Sequence, residues 1–424
     1  MSPITARRTT AASLVLAALV LPLAMSAPAD AGTYEKVKVV RVIDGDTIDV
    51  DRNMDGRIDA RIRLLGIDTP EHGLCNFTAA SDALRSLVRR KVVELRSDRG
   101  RTGIMNRPER RVIVPMAGGA KVDASTWMLE RGWGVWMPRA GEITQSLQQH
   151  QAADRAAAAG LGWFNSTRCG TSFADGSTLT MQVEYLADGG DGLTTLQKRN
   201  QEFIRIRNDG SAPVDIDGWT LRVGNDRQRS VPPGGPIPPS GAIDIHVGAG
   251  TNTVTDRYLG SNVPMFVNAS IDGGPHLGSG SYLIDKQNNI QAHQTWPCTL
   301  DCADPTLGTL TITDMLTDAP GVDEQNLNGE HFTLTNTGAA PVRLGDFVVE
   351  VAWLVHEFGS NRWLDPGQSV TVYSGEGDSS GGQEYLHAKG AAPLRTAGAR
   401  VLLRTYDAIV LDCRSYGDAP PCPR

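Results

Sequence analysis

From Lys36 to Val50 apolar and polar residues alternate, and Val37, Val39 (with Val40), Val42 and Ile48 mark strand character. A period of two marks a half-buried strand, because successive side chains leave a strand on opposite faces. Arg61 to Ile67 reads as a further strand. The period then lengthens. Phe77, Ala80, Leu84, Leu87 and Val88 recur at helical spacing between Asn76 and Lys91. Asp123 stands where it can cap a helix that carries Ala124, Trp127 and Met128 on one face. A third helix is expected from Glu142 to Ala159, with Ile143 and Leu147 one turn apart and Gly160 as its stop. Strands first and helices interleaved later predict a small β-barrel with helices packed on it.

Residues 166–178 are rich in Ser, Thr and Gly and read as a linker. Everything beyond reads as β and holds a repeat. Glu202, Asn208, Gly210, Ala212, Pro213 and Val214 recur as Glu330, Asn336, Gly338, Ala340, Pro341 and Val342, always 128 positions on. Ile206, Ile216 and Trp219 recur in kind as Leu334, Leu344 and Phe347. A strand, an Asn-x-Gly turn and a second strand ending in an aromatic make one hairpin, and Pro- and Gly-rich turns follow, as in a sandwich. That period is too long for a solenoid, so a whole domain is doubled. The expected division is 1–31, 32–165, the linker 166–178, then 179–303 and 304–424. The expected fold class is mainly β and multidomain: a barrel with three helices, then two sandwiches.

Export changes the picture next. Arg7 and Arg8, the apolar run Ala11–Met25 and Ala29-Asp30-Ala31 have the order of a cleavable signal peptide. The run is short for a bilayer span, so the mature chain is expected outside the cell, free or held at the envelope, with no membrane span. Six cysteines suit that oxidising setting. They allow 15 pairings; domain logic suggests Cys75–Cys169, Cys298–Cys302 and Cys413–Cys422. Their spacing does not suit zinc. The net charge of −7 is uneven: about +5 over 32–170 and −13 over 171–424. Ten Arg or Lys stand against four Asp or Glu in 81–111, which fits a polyanionic partner or a solvated face.

Two segments carry candidate chemistry: Val42-Ile43-Asp44-Gly45-Asp46-Thr47-Ile48 and Ile62-Arg63-Leu64-Leu65-Gly66-Ile67-Asp68-Thr69-Pro70-Glu71. Both are strands that run into acidic residues. Antiparallel pairing would bring Asp46 and Asp68 to one edge, and two carboxylates with backbone carbonyls and water suit a hard cation. Glu71 is near enough to orient or deprotonate a water. Arg63, with Arg110 and Arg111 later, offers guanidinium groups that clamp a phosphate in two-pronged fashion.

These segments resemble the staphylococcal nuclease (thermonuclease) family. The motifs are Ile-Asp-Gly-Asp-Thr and Arg-Leu-Leu-x-Ile-Asp-Thr-Pro-Glu, and the match spans about residues 36–164. The resemblance implies an OB-type barrel with three helices and a Ca2+-dependent phosphodiesterase. It implies Asp46 and Asp68 as calcium ligands with the Thr69 carbonyl, Arg63 on the phosphate and its transition state, and Glu71 as general base or water-orienting residue. The second family arginine is best matched by Arg110, with Arg111 the alternative, since the Tyr-Gly that precedes it in the family is missing. The family's paired tyrosines are not evident either, so base stacking could fall to Trp133 or Trp136, whose other role is core packing. His72 is expected to be a bystander. DNA and RNA are the expected substrates, with 3′-phosphate ends.

Asp51, Asn53, Asp55, Gly56 and Asp59 follow the first nine positions of an EF-hand loop, while Ile62 stands where its bidentate Glu belongs. This is either a weak structural calcium site or an ion-free turn. The repeated modules resemble lamin-tail domains, which are immunoglobulin-like sandwiches, on the Asn-x-Gly-x-Ala-Pro-Val hairpin that ends in Trp219 or Phe347. Their acidity argues against a grip on DNA. They are expected to bind a cell-surface component, to space the barrel or to pack on it.

Overall fold

A computed structural model describes residues 33–422 except 99–102, 105–106, 140, 171–177, 186–194, 225–226, 264, 267–277, 301, 303–305, 307, 353, 360–361, 389–391 and 407–408. The expected signal peptide and residues 171–177 of the expected linker lie outside the described residues. Gly32–Arg424 forms one compact unit.

Its first part contains β1 (Thr33–Val42), β2 (Thr47–Asp51), β3 (Ala60–Leu64), β4 (Gly66–Asp68), α1 (Phe77–Val88), β5 (Val92–Ser97), β6 (Gly103–Ile104), β7 (Arg107–Pro115), β8 (Lys121–Asp123), α2 (Ala124–Leu129), β9 (Val135–Met137) and α3 (Ser146–Ala158). Strands run side by side in the order β3-β2-β1-β5-β7, and β3 also pairs with β7, so the sheet closes on itself. Alternation explains the closure: Val37, Ile48, Ile62, Val93 and Val112 all point inward and are fully buried. Leu84 and Val88 of α1 and Met128 of α2 seal the same core.

Three local expectations change. The strand Arg61–Ile67 is broken between β3 and β4, where Gly66 takes φ 82°. The third helix starts at Ser146, because Glu142 is occupied in accepting hydrogen bonds from the Ser97 hydroxyl and the Asp98 amide, both at 2.7 Å. Ile143 and Leu147 are therefore exposed rather than on a core face. The third change is a helix, α4 (Thr195–Gln201), within the part expected to be all β.

The rest is a doubled arrangement. The first copy holds β10 (Leu179–Glu184), α4, β11 (Phe203–Asn208), β12 (Thr220–Val223), β13 (Arg227–Ser230), β14 (Ala242–His246), β15 (Asp256–Tyr258), β16 (Ser279–Ile284) and β17 (Ile290–Trp296). The second holds β18 (Leu310–Leu316), β19 (His331–Asn336), β20 (Val342–Arg343), β21 (Phe347–Val351), β22 (Leu354–Glu357), β23 (Trp363–Leu364), β24 (Ser369–Tyr373), β25 (Gln383–Tyr385), β26 (Gly398–Thr405) and β27 (Val410–Gly417). Sheets β10-β11-β14-β15 and β13-β12-β16-β17 correspond one to one with β18-β19-β24-β25 and β22-β21-β26-β27, and the last pair of the first sheet is parallel in both copies.

The repeated asparagine explains why the motif recurs. Asn208 donates to the Ala212 and Ile237 carbonyls and accepts from the Gly210 amide; Asn336 does the same with Ala340, Leu364 and Gly338. Each side chain is fully buried and ties a turn to a neighbouring segment. The repeated glutamate is less comfortable. Glu330 is fully buried and neither carboxylate oxygen has a hydrogen-bond partner among the described residues. Burial first, then Asp323, Glu324 and Asp318, pushes its carboxyl up to about 7. A raised acid keeps its contribution to stability below the unfolded value of about 4.3 and loses it as pH rises through the folded value. Glu330→Gln is expected to stabilise the chain above pH 7, by an amount of order 1 kcal/mol, and to change little at pH 4. Urea midpoints that are equal at pH 8 would refute this account.

The copies do not hang on a tether. Val135, Met137, Ala156, Trp163 and Phe164 of the first part share a core with Tyr282, Ile284 and Ile290 of the first copy. Trp163 Nε1 donates to the Asn288 carbonyl at 2.8 Å, and Asn288 Nδ2 donates to the Cys75 carbonyl at 2.8 Å. Residues 166–170 of the expected linker dock on the β16–β17 turn, where Asn289 bonds the Cys169 amide and the Gly170 carbonyl. The copies meet through buried charge: Arg404 holds Glu184 with two hydrogen bonds, at 3.0 and 3.1 Å. The cysteines form Cys75–Cys169, Cys298–Cys302 and Cys413–Cys422. Among the described residues no helix is long and apolar enough to cross a membrane.

Candidate active site

β2 and β3 are antiparallel, with Thr47 opposite Arg63. Asp46 immediately precedes β2, and its carbonyl accepts the Leu64 amide at 2.7 Å. Arg63 therefore projects beside Asp46. The break at Gly66 turns β4 back against β9, with Asp68 opposite Val135. That turn brings the second carboxylate to the same guanidinium. Arg63 donates from Nη1 to Asp46 Oδ1 at 2.8 Å and from Nη2 to Asp68 Oδ1 at 2.6 Å. Thr69 donates its amide and its hydroxyl to Asp46 Oδ2, both at 3.0 Å, and the Thr47 hydroxyl donates to Asp46 Oδ1 at 2.9 Å. Arg63 is 6% exposed and Asp46, Asp68 and Thr69 are each 2% exposed, so these are charges in a largely dry setting.

Glycines make room for this. A Cβ on Gly45 would lie 2.7 Å from the Thr69 hydroxyl, and one on Gly134 would lie 2.7 Å from the Asp68 carbonyl. Burial pushes the Asp46 carboxyl up to about 6; Arg63 opposes that shift, Asp44 adds to it, and the Thr47 and Thr69 hydrogen bonds pull it back.

The donor set suits a hard cation in kind, since two carboxylates and a carbonyl are all oxygen. Among the described residues no third Asp, Glu, His or Cys gathers with the pair as a metal-holding cluster. The remaining Asp68 oxygen is ion-paired with Arg222, which stands on β12 of the first copy. Both Asp46 oxygens and Asp68 Oδ1 thus accept hydrogen bonds, while Asp68 Oδ2 meets only the Arg222 guanidinium and has no hydrogen-bond partner among the described residues.

The other expected residues fall outside this knot. Glu71 lies on the exposed turn that follows Pro70, and its carboxylate makes no hydrogen bond or ion pair among the described residues. Arg110 is beside Leu64 in register and donates to the Glu109 carbonyl at 2.7 Å. Burial lowers its pKa, and the charges that bear on it are Glu142, Arg52, Glu35 and Glu109. Arg111 is ion-paired with Asp98 at 2.9 Å. Neither arginine contacts Asp46 or Asp68. The register instead puts Glu109 beside Arg63, and Arg139 grips Glu109 through two hydrogen bonds at 2.8 Å. His72 is exposed and meets the Phe77 ring edge-on. Trp136 is fully buried and stacked on His150 at 4.0 Å, so it packs the core. Trp133 is partly buried, with the Arg168 guanidinium 5.1 Å above its ring.

At the β2–β3 tip, Asp51 Oδ2 accepts the Gly56 amide at 2.8 Å, and Asn53 and Asp55 accept the amides of Asp55 and Arg57. Asp59 accepts the Arg52 amide at 2.7 Å. Asp51 is fully buried, and its Oδ1 has no hydrogen-bond partner among the described residues.

Arg222, Glu109 and Arg139 were not among the expected site residues. For Arg222 one signal was present: the repeat places it opposite Glu350, a reversal of charge inside two otherwise matching strands. No protein-family model matches the chain, and no curated protein matches it.

Proposed function

We propose that the chain is an exported, calcium-dependent nuclease of the thermonuclease kind, its barrel of OB type and its two copies immunoglobulin-like sandwiches of the lamin-tail kind. The observation that carries the proposal is the Arg63 guanidinium forked between Asp46 and Asp68 at 2.8 and 2.6 Å. Such a fork has the shape that clamps two phosphate oxygens, and it sits at the oxygen-rich corner made by Asp46, Asp68 and Thr69. Asp46, Asp68 and the Thr69 carbonyl would hold the ion, which when bound supplies electrophilic stabilisation of a phosphate oxygen. Arg63 then neutralises charge that builds on the phosphorus oxygens. Glu71, exposed on the adjoining turn, is free to orient or deprotonate the attacking water. The leaving group would be the 5′-oxygen, giving 3′-phosphate ends on DNA and RNA.

A second ion is proposed at the tip loop, with Asp51, whose Oδ1 has no hydrogen-bond partner among the described residues, and Asn53, Asp55 and Asp59 as its ligands, although among the described residues they do not gather as a metal-holding cluster. The sandwiches remain candidates for a cell-surface ligand on their free faces.

The test is cleavage of single-stranded DNA, duplex DNA and RNA by the full mature chain, with calcium and with a chelator. Cleavage that stops on chelation, with two ions per chain by calorimetry, is the expected result. Absence of cleavage of all three by folded, calcium-loaded protein would overturn the nuclease assignment.

A further inference from the structure

The geometry points to Arg222 as the second phosphate-binding arginine of this site, supplied across the interface by the first sandwich; this rests on the nuclease assignment. Arg222 reaches Asp68 from β12, with its guanidinium 6.0 Å from the Trp163 ring. Gln228, on the paired strand β13, accepts from its Nη2 at 3.4 Å. Its base is therefore held by a sheet that is itself fixed to the barrel. The neighbouring contact is tight: on β16, Tyr282 sits opposite Arg222 in register and donates its hydroxyl to the Trp136 carbonyl at 3.2 Å.

The charge balance explains what such an arginine does. Asp46 and Asp68 face Arg63 and Arg222, two negative groups against two positive ones. Asp46 and Asp68 would hold a divalent cation, which would make the corner positive and would compete with Arg222 for Asp68. A phosphodiester that arrives there offers the displaced guanidinium new oxygen acceptors in place of the carboxylate, without leaving a buried charge unpaired. Arg110 stands opposite Leu64 in register and donates to the Glu109 carbonyl. The second copy holds a glutamate at the matching position: Glu350 turns to Arg404 within its own sheet.

The experiment compares the full chain with Arg222→Ala and Arg222→Lys in three measurements. These are calcium affinity by calorimetry without nucleic acid, binding of a short phosphorothioate single strand by fluorescence anisotropy, and kcat and KM on single-stranded DNA. Unchanged thermal melting and Tyr and Trp fluorescence establish that the variants are folded. Arg222→Ala is expected to bind calcium several-fold tighter, since a competitor for Asp68 is gone. It should bind the oligonucleotide about tenfold more weakly and lose on the order of 10²-fold in kcat/KM; Arg222→Lys should fall between. Opposite signs for the ion and the nucleic acid are the signature, since a residue with a structural role alone moves neither. Cleavage by Arg222→Ala at or above the normal rate would overturn the inference and make the arginine a cover over the site. Failure of the unaltered chain to cleave at all would defeat the nuclease assignment, and Arg222 would then be judged by oligonucleotide affinity alone, where an unchanged value refutes it.

Discussion

Replacing Arg63 by alanine is expected to lower both stability and activity, and calcium is expected to return part of the first and none of the second. The guanidinium is the shared partner of two carboxylates that are each 2% exposed. Its removal leaves Asp46 with only Thr47 and Thr69 as donors, beside an Asp68 still held by Arg222. Removing one partner of a buried ion pair destabilises by about 3–5 kcal/mol, because the remaining charge is stranded. An ion that binds the folded state adds stability by mass action. In the variant it also replaces the missing positive charge, so the calcium-induced rise in melting temperature should exceed that of the unaltered chain. Cleavage should fall by about 10²–10³-fold, the usual loss for one preorganised donor at developing charge. Arg63→Lys keeps a charge but not the fork, and should recover stability better than rate. Equal calcium-induced shifts in variant and parent would sink the idea that the ion and Arg63 serve the same carboxylates.

Ending the chain after Gly170 is expected to cripple the barrel rather than liberate it. A sequence view that treats 166–178 as a linker predicts an independent catalytic domain. In the folded chain, Val135, Met137, Trp163 and Phe164 are buried against Tyr282, Ile284 and Ile290, and Trp163 loses its Asn288 acceptor on truncation. Full burial of one large apolar side chain is worth about 1.5–3 kcal/mol, so re-exposing this patch costs on the order of 5 kcal/mol. That is a large part of the stability of an ordinary domain. The fragment 33–170 should melt far below the whole chain, bind a hydrophobic dye and cleave poorly. A fragment that melts and cleaves like the whole chain would show that the sandwiches are accessory and that the shared core contributes little.

What could be read in advance follows a physical divide. Asp46 and Arg63 were legible because the antiparallel pairing of β2 with β3 is a local rule that sets them side by side, whereas Asp68 reaches the same guanidinium through the break at Gly66, which alternation alone does not signal. The doubled sandwich was legible because Asn208 and Asn336 each perform the same buried turn closure, which tolerates little else. The start of α3 was missed because Glu142, a good helix former by itself, is claimed by Ser97 and Asp98 some 45 positions earlier. Arg110 was the best match to the second family arginine; which side chain sits beside Arg63 depends on the parallel register of β3 with β7, which places Glu109 there and Arg110 opposite Leu64. Arg222 was beyond reach for a related reason. Its meeting with Asp68 depends on how two layers distant in sequence dock, and no periodicity in the chain encodes that.

The disulfide between Cys75 and Cys169 has a topological consequence. It spans 94 positions and starts four residues beyond Glu71, so it draws α1, α2, α3 and the strands β5 to β9 into one covalent ring, with β1 to β4 ahead of it. A protease that nicks any peptide bond inside that ring opens the circle without releasing a piece. The carboxylate turn on one side of the cut and the docked Cys169 segment on the other stay joined. The bridges Cys298–Cys302 and Cys413–Cys422 enclose only 4 and 9 positions and offer no such insurance to the sandwiches. The residues with the proposed chemistry, Asp46, Arg63, Asp68 and Glu71, all precede Cys75, so a cut inside the ring leaves them joined to the segment that docks on the first copy, while a cut ahead of Cys75 has no bridge to span it.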